Sequence, residues 1–219
     1  MKKILPLIFV GLLASILIFY KFPNLPKYLA FDEVEFAKLA LSLDNKPYIA
    51  YSTLATGHST LYFYIILLSF NIFGVTNFAL RLPAAIFGIL SAIMFYLVIQ
   101  MSFRADPSAD RGVEKSSKRS LDFARDDLMP FLLTIIFLTS RWFFNFARFS
   151  FEATFLLFLE LVSIYFLISK KSLFISGLFA GFAFLSYTPG RIFFLLPLSF
   201  IISMSLRGSA GWRRRSNLI

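Results

Sequence analysis

Long apolar runs separated by short, polar and mostly basic segments dominate the chain. The runs cover residues 4–20, 82–101, 128–146, 153–169, 172–188 and 192–206. Each comes close to the ~20 residues with which a helix crosses a hydrocarbon core, and tilt, Pro197 and interfacial aromatics accommodate the shorter ones. Residues 61–73 are also apolar, but the run is short, carries Asn71 and stops at Gly74. At ~1.5 Å per residue it does not cover a ~30 Å core, so the pattern predicts a helix that lies in or dips into the interface. The expectation is an all-α, polytopic bundle of about six spans.

A different periodicity follows the first run. Between residues 31 and 43, Phe36, Leu39, Ala40 and Leu43 recur at helical spacing on one face, while Glu35, Lys38 and Ser42 fall on another. This predicts an amphipathic helix on the membrane surface. If the helix includes Asp32, that side chain is expected on the apolar face. At the helix start, Asp32 would instead cap free backbone N–H groups.

Composition strengthens the membrane reading. The chain is 58% hydrophobic over 219 residues, with thirty Phe, more apolar surface than a soluble domain of this length hides. With no Cys, disulfides, thiol nucleophiles and Cys-based metal sites are excluded. The first run follows Lys2 and Lys3; it is longer than a usual signal-peptide apolar region and lacks a small-x-small cleavage pattern, which favours an uncleaved anchor.

The net charge of +10 raises the question of nucleic acid, but the basic residues sit between apolar runs and not on a polar face. With residues 61–73 kept outside, fourteen of the twenty-two Lys and Arg fall on the side of Lys2 and Lys3. A seventh span would turn the most basic loops outward, against the positive-inside bias. Both chain ends are therefore expected in the cytoplasm. Residues 104–127 are polar and nearly charge-balanced, which predicts a disordered cytoplasmic insert interrupting a transmembrane domain of residues 1–206; residues 207–219 form a basic tail.

In this topology Asp32, Glu33, Arg81, Arg141, Arg148 and Glu152 meet at the outer face. A carboxylate beside apolar surface can act as a general base, and guanidinium groups can hold a phosphate. The alternatives are a helix start for the acids and snorkelling for the charges at span ends. Glu160 is the acid deep inside a run, either functional or neutral in a helix interface. His58, the single histidine, has no second His or Cys for a metal site.

The segments PKYLAFDEVEFAKLALSL, GHSTLYFYIILLSFNIFGVTNFALRLPAAIFGIL, ARFSFEATFLLFLELVSIYFL and GLFAGFAFLSYTPGRIFFLLP, in this order, resemble the N-terminal part of the protein O-mannosyltransferase and aminoarabinose-transferase-like GT-C membrane glycosyltransferases. The most specific pieces are the acidic pair before the amphipathic helix and FG-x-x-x-FALRLP at residues 73–83. The resemblance implies a plasma-membrane enzyme that moves a sugar from a polyprenyl-phosphate donor to a hydroxyl of a glycan, lipid or protein acceptor on the extracytoplasmic face. It implies Asp32 as catalytic base with Glu33 beside it, and Arg81, Glu152, His58 and Arg148 around the donor. Ser59-Thr60 stands where members carry Pro-Pro, a departure that bears on His58. A divalent metal is left open as an aid to the reaction. Members continue through further spans, so a fragment or truncated product is expected. The rival expectation is a non-catalytic membrane scaffold, a polyprenyl-lipid-binding protein or a transporter component, although the spans show no repeat of the transporter kind.

Overall fold

The structure is a computed structural model that describes residues 5–22, 24, 26–52, 58–104, 128–169, 172–200 and 202. The predicted insert and basic tail lie outside the described residues, apart from Arg104, which ends a helix. In chain order the helices are α1 (Leu5–Phe19), α2 (Phe31–Ser42), α3 (Leu61–Phe73), α4 (Asn77–Arg104), α5 (Met129–Thr139), α6 (Arg141–Phe146), α7 (Glu152–Ser169), α8 (Leu173–Ser186) and α9 (Thr188–Phe193). Residues 195–200 are helical again. No strand occurs among the described residues; the Tyr51–Ser59 pairing is an isolated antiparallel bridge.

Two of these helices, α4 and α7, are long and apolar enough to cross a membrane. The apolar helices α1, α3, α5 and α8 are shorter. Two expected runs are divided, 192–206 by the turn at Phe194 and 128–146 more sharply. Residues 128–146 do not form a single helix, because Ser140 takes an extended conformation (φ −60°, ψ 132°) between α5 and α6. Its hydroxyl accepts from Phe143 N at 3.4 Å, so the break supplies the N-cap of α6.

The bundle is organised around α4, which packs against α1, α3, α5 and α7, while α7 packs on α8. Small residues let the backbones approach: Ala79, Ala84, Ala85 and Ala92 of α4 are fully buried. At Gly88 a Cβ would lie 2.7 Å from that of Ala147, so a side chain would push the segment after α6 away. On the opposite side, Phe36, Leu39, Ala40 and Leu43 of α2 are buried against α3, the start of α4 and Phe155, Leu156 and Leu159 of α7. The predicted apolar face of α2 is therefore the observed one. Between α7 and α8, Ser163 and Ser176 donate to each other's carbonyls at 3.0 and 2.9 Å, polar contacts suited to an apolar helix interface.

Pro83 lies inside α4 and has no N–H for the carbonyl of Ala79, four residues back. The Ser69 hydroxyl of α3 donates to that carbonyl instead, at 2.7 Å and fully out of solvent. A cross-helix hydrogen bond thus replaces the intrahelical one and fastens α3 to α4.

Replacing Ser69 by Ala leaves the Ala79 carbonyl buried without this donor, and the expected cost is about 1–3 kcal/mol of stability. Adding Pro83→Ala returns a backbone N–H to α4 and should recover part of the loss. Thermal unfolding of the purified single and double variants measures both effects; additive destabilisation would show that Pro83 and Ser69 are uncoupled.

Candidate functional site

The site is built on the N-terminus of α2. Its N-cap, Ala30, has no side chain able to satisfy the free N–H groups of the first turn. Glu33, in that turn, reaches back and accepts from Ala30 N through Oε2 at 3.0 Å, which is half of a capping box. Its carboxylate also receives a two-pronged Arg81 guanidinium, Nε to Oε1 at 2.7 Å and Nη2 to Oε2 at 2.8 Å. Ser150 N donates to Oε1 at 3.0 Å. Arg81 further donates to the carbonyls of Pro26 at 2.8 Å and Tyr28 at 3.2 Å, with the Phe149 ring 5.7 Å away. Glu33 and Arg81 are both buried. One ion pair therefore ties together α2, the second turn of α4, the segment before α2 and the segment before α7.

This arrangement separates the two acids expected to act together. The helix includes Asp32, yet Asp32 is exposed and it is Glu33 that faces inward. By spacing alone both acids lie near the stripe of Phe36, Leu39, Ala40 and Leu43; what separates them is that Arg81, Ser150 N and Ala30 N close over Glu33, while Asp32 in the open first turn stays exposed. Glu33 has its oxygens engaged by backbone and Arg81, whereas Asp32 presents an open carboxylate at a positive helix end.

The two arginines expected to hold a phosphate are occupied by protein. Arg81 is committed to Glu33 and two carbonyls. Arg148 is buried and donates to the carbonyls of Tyr20 at 2.8 Å and Leu17 at 3.5 Å, at the C-terminal end of α1, where a cation is favoured. The Phe144 ring lies 5.1 Å from its guanidinium. Burial, and after it the Arg81 charge, lower the Arg148 pKa from its usual value. Arg141 is exposed, and Glu160 is half-buried further along α7.

His58 and Glu152, by contrast, meet. Glu152, the first residue of α7, is fully buried, and its Oε1 lies 2.9 Å from His58 Nδ1. The imidazole is 36% exposed and stands among the rings of Phe36, Tyr187 and Phe63, at centroid distances of 6.2, 6.4 and 6.5 Å. Its loop is held by Ser52 N donating to the His58 carbonyl at 2.9 Å and by Thr60 N donating to the Ala50 carbonyl at 3.1 Å. Ser59 and Thr60, which replace the expected prolines, take part: Ser59 pairs with Tyr51, and the Thr60 hydroxyl donates to the Ile49 carbonyl. The other Glu152 oxygen, the Ser150 hydroxyl and the Tyr62 hydroxyl are buried without a hydrogen-bond partner among the described residues.

The last wall comes from the turn between α8 and α9. A Cβ on Gly190 would lie 2.0 Å from the Ala183 carbonyl oxygen, so only glycine lets α9 fold this closely over the end of α8. The turn carries Tyr187, whose pKa is raised by burial and after it by the Glu152 and Asp32 charges, and α9 carries Arg191, whose guanidinium lies 5.7 Å from the Tyr51 ring centroid. Tyr62, Ser150, Tyr187 and Arg191 were not among the sequence candidates. Arg191 carried a usable signal, as a cation opening an apolar run directly after a Pro-Gly turn; Tyr62 and Ser150 carried none.

Compared with known proteins, the chain matches no family model, no curated protein and no solved structure.

The division of labour between the neighbouring acids is directly testable. Glu33→Ala leaves the Arg81 charge buried without its partner and should cost about 3–5 kcal/mol, read as lost membrane yield and early thermal unfolding. Asp32→Asn should leave both unchanged. Wild-type stability in the Glu33 variant would show that the ion pair does not hold the site together.

Proposed function

We propose that the chain is a GT-C-like membrane glycosyltransferase segment that transfers a sugar from a polyprenyl-phosphate donor to an acceptor hydroxyl at the extracytoplasmic face. The observation that carries this reading is the exposed Asp32 carboxylate at the start of a helix anchored by the buried Glu33–Arg81 pair. Transfer from a phosphate-linked sugar needs a base for the acceptor proton and cationic or hydrogen-bonding groups for the departing phosphate. Asp32 suits the first role. His58, oriented by Glu152, suits the second, as does the partly exposed Arg191. The sequence resemblance adds the acidic pair and the R-L-P element around Arg81. Glu33, placed beside Asp32 by that resemblance, supports the reading as the group that anchors the helix start carrying Asp32.

The six-span topology belongs to the same proposal. Large apolar side chains stand outward along the bundle, among them Leu5, Ile16, Ile136, Phe174 and Ile192, and lipid solvates such a belt better than water. The start of α4, the end of α6, the start of α7 and the end of α8 gather around the Glu33–Arg81 and His58–Glu152 pairs, as they would at one membrane face. In the proposed orientation this face is outside and the basic loops are inside.

Because the chain has no Cys, single cysteines report topology cleanly. A cysteine at Lys46 should react with an impermeant thiol reagent in intact cells, and one at Leu173 should react only after the membrane is opened. The reverse pattern would overturn the orientation.

For the chemistry, Asp32→Asn keeps size and capping ability while removing the basic carboxylate. In membranes supplied with labelled polyprenyl-phosphate sugars, label transfer should fall by roughly 10²- to 10⁴-fold while donor binding persists. Glu35→Gln on the exposed face of α2 should be mild. Equal transfer by the Asp32 variant and the parent would remove Asp32 from the mechanism; donor binding without turnover in the parent would favour the lipid-binding alternative.

A further inference from the structure

We infer that one buried water molecule is held between Glu152 Oε2 and the hydroxyls of Ser150 and Tyr62, and that through it Tyr62 and Ser150 act as positioning residues that keep Glu152 ionised against His58. The inference rests on the packing behind His58 and not on the reaction proposed above.

Two segments meet here. Glu152 is the first residue of α7, and Ser150, two residues before it, is tied to Glu33 through its backbone N–H at 3.0 Å. Tyr62 lies in the first turn of α3, four residues after His58, whose Nδ1 is 2.9 Å from Glu152 Oε1. The Tyr62 ring is stacked on Phe155 at a centroid distance of 6.0 Å, and Phe155 follows Glu152 by three residues, on the same side of α7. Both contacts bring the stretch from His58 to Tyr62 against the turn from Glu152 to Phe155. Burial raises the pKa of the Tyr62 phenol, the neighbouring Ser150 hydroxyl lowers it, and the Glu152 and Glu33 charges raise it. Phenol, serine hydroxyl and carboxylate thus share one small region.

All three residues are fully out of solvent, and among the described residues these three oxygens have no hydrogen-bond partner. Each would carry its full desolvation penalty if left so. A single water answers all of them. It accepts from the Tyr62 and Ser150 hydroxyls and donates to Glu152 Oε2, which gives it the roughly three hydrogen bonds of a buried water. A metal ion suits the group less well, because hard cations gather carboxylates and carbonyls and the nearby Glu33 is already engaged by Arg81.

The titratable groups that face Glu152 are His58 from the loop before α3, Tyr62 from α3 and Tyr187 from the turn after α8, on which Asp32 also acts. A hydrogen bond donated to Oε2 favours the charged carboxylate, and the charged carboxylate favours the imidazolium. Loss of the water favours a protonated Glu152, so His58 then gives up its proton at lower pH.

His58 is the single histidine of the chain, so NMR of histidine-labelled protein follows its titration directly. The full chain in lipid nanodiscs is compared with Tyr62→Phe, Ser150→Ala and Glu152→Gln by imidazole titration and thermal unfolding. Glu152→Gln removes the charge and should lower the titration midpoint most. Tyr62→Phe and Ser150→Ala should each lower it by about half a pH unit or more and unfold earlier than the parent. Ser150→Ala carries both readouts if Tyr62→Phe yields no folded protein. A tyrosine-labelled parent should also show ring cross-relaxation with a long-lived water that is lost in Tyr62→Phe. A hydroxyl that is merely unpaired predicts the opposite, since removing it relieves a buried cost: later unfolding of Tyr62→Phe with an unchanged midpoint overturns the inference. Earlier unfolding of both variants with unchanged midpoints overturns the positioning role. An effect of Tyr62→Phe alone overturns the part given to Ser150, and no cross-relaxation in the parent overturns the water. A midpoint that responds to sodium or potassium, and not to a bulky organic cation at the same ionic strength, replaces the water by a bound ion. None of these readouts depends on sugar transfer, so the role proposed for Asp32 stands or falls separately.

Discussion

The buried Glu33–Arg81 pair is the constraint on which the end of the bundle around α2 depends. Either group alone in this interior would be strongly unfavourable, so the pair closes only when the start of α2, the second turn of α4, residues 26–28 and Ser150 arrive together. Closing it lays the apolar face of α2 on α3, α4 and α7. Asp32, one residue away, stays exposed at the helix end.

The cations fall into two layers for a related reason. Arginine offers five donors in a planar fork, which lets a single side chain join several backbone segments. Arg81 uses this at the base of the site, and Arg148 uses it to hold the end of α1. Arg191, half-buried, lies with its guanidinium 5.7 Å from the Tyr51 ring centroid. Chemically identical residues at one end of the bundle thus do different work, and the division follows from which carbonyls and rings surround each of them.

Irregularities in the helices position the side chains gathered at this end of the bundle. Pro83 removes a hydrogen bond from α4 and Ser69 replaces it, which fixes α3 and with it the loop that carries His58. Ser140 breaks the run between α5 and α6 just before the segment of Arg148 and Ser150. Gly190 lets α9 press on α8 and bring Tyr187 and Arg191 to the histidine. Each is a local departure from regular helix whose effect is felt at the site.

Much of the secondary structure was legible in the sequence, because apolar periodicity and run length report local geometry directly. The apolar face of α2, the short α3 and the long apolar α4 and α7 all follow from residue spacing within a few turns. That Asp32, Glu33, Arg81 and Glu152 share one end followed only from an expected topology, and the place of His58 only from the resemblance. Their partnerships did not. Glu33 finds Arg81 across 48 residues, and His58 finds Glu152 across 94. Glu33 and Asp32 look alike in the chain, and so do Arg81 and Arg191. Only tertiary packing decided which of each pair is enclosed by protein partners and which is not, because burial of a charge depends on partners that approach from distant segments and not on its neighbours along the chain.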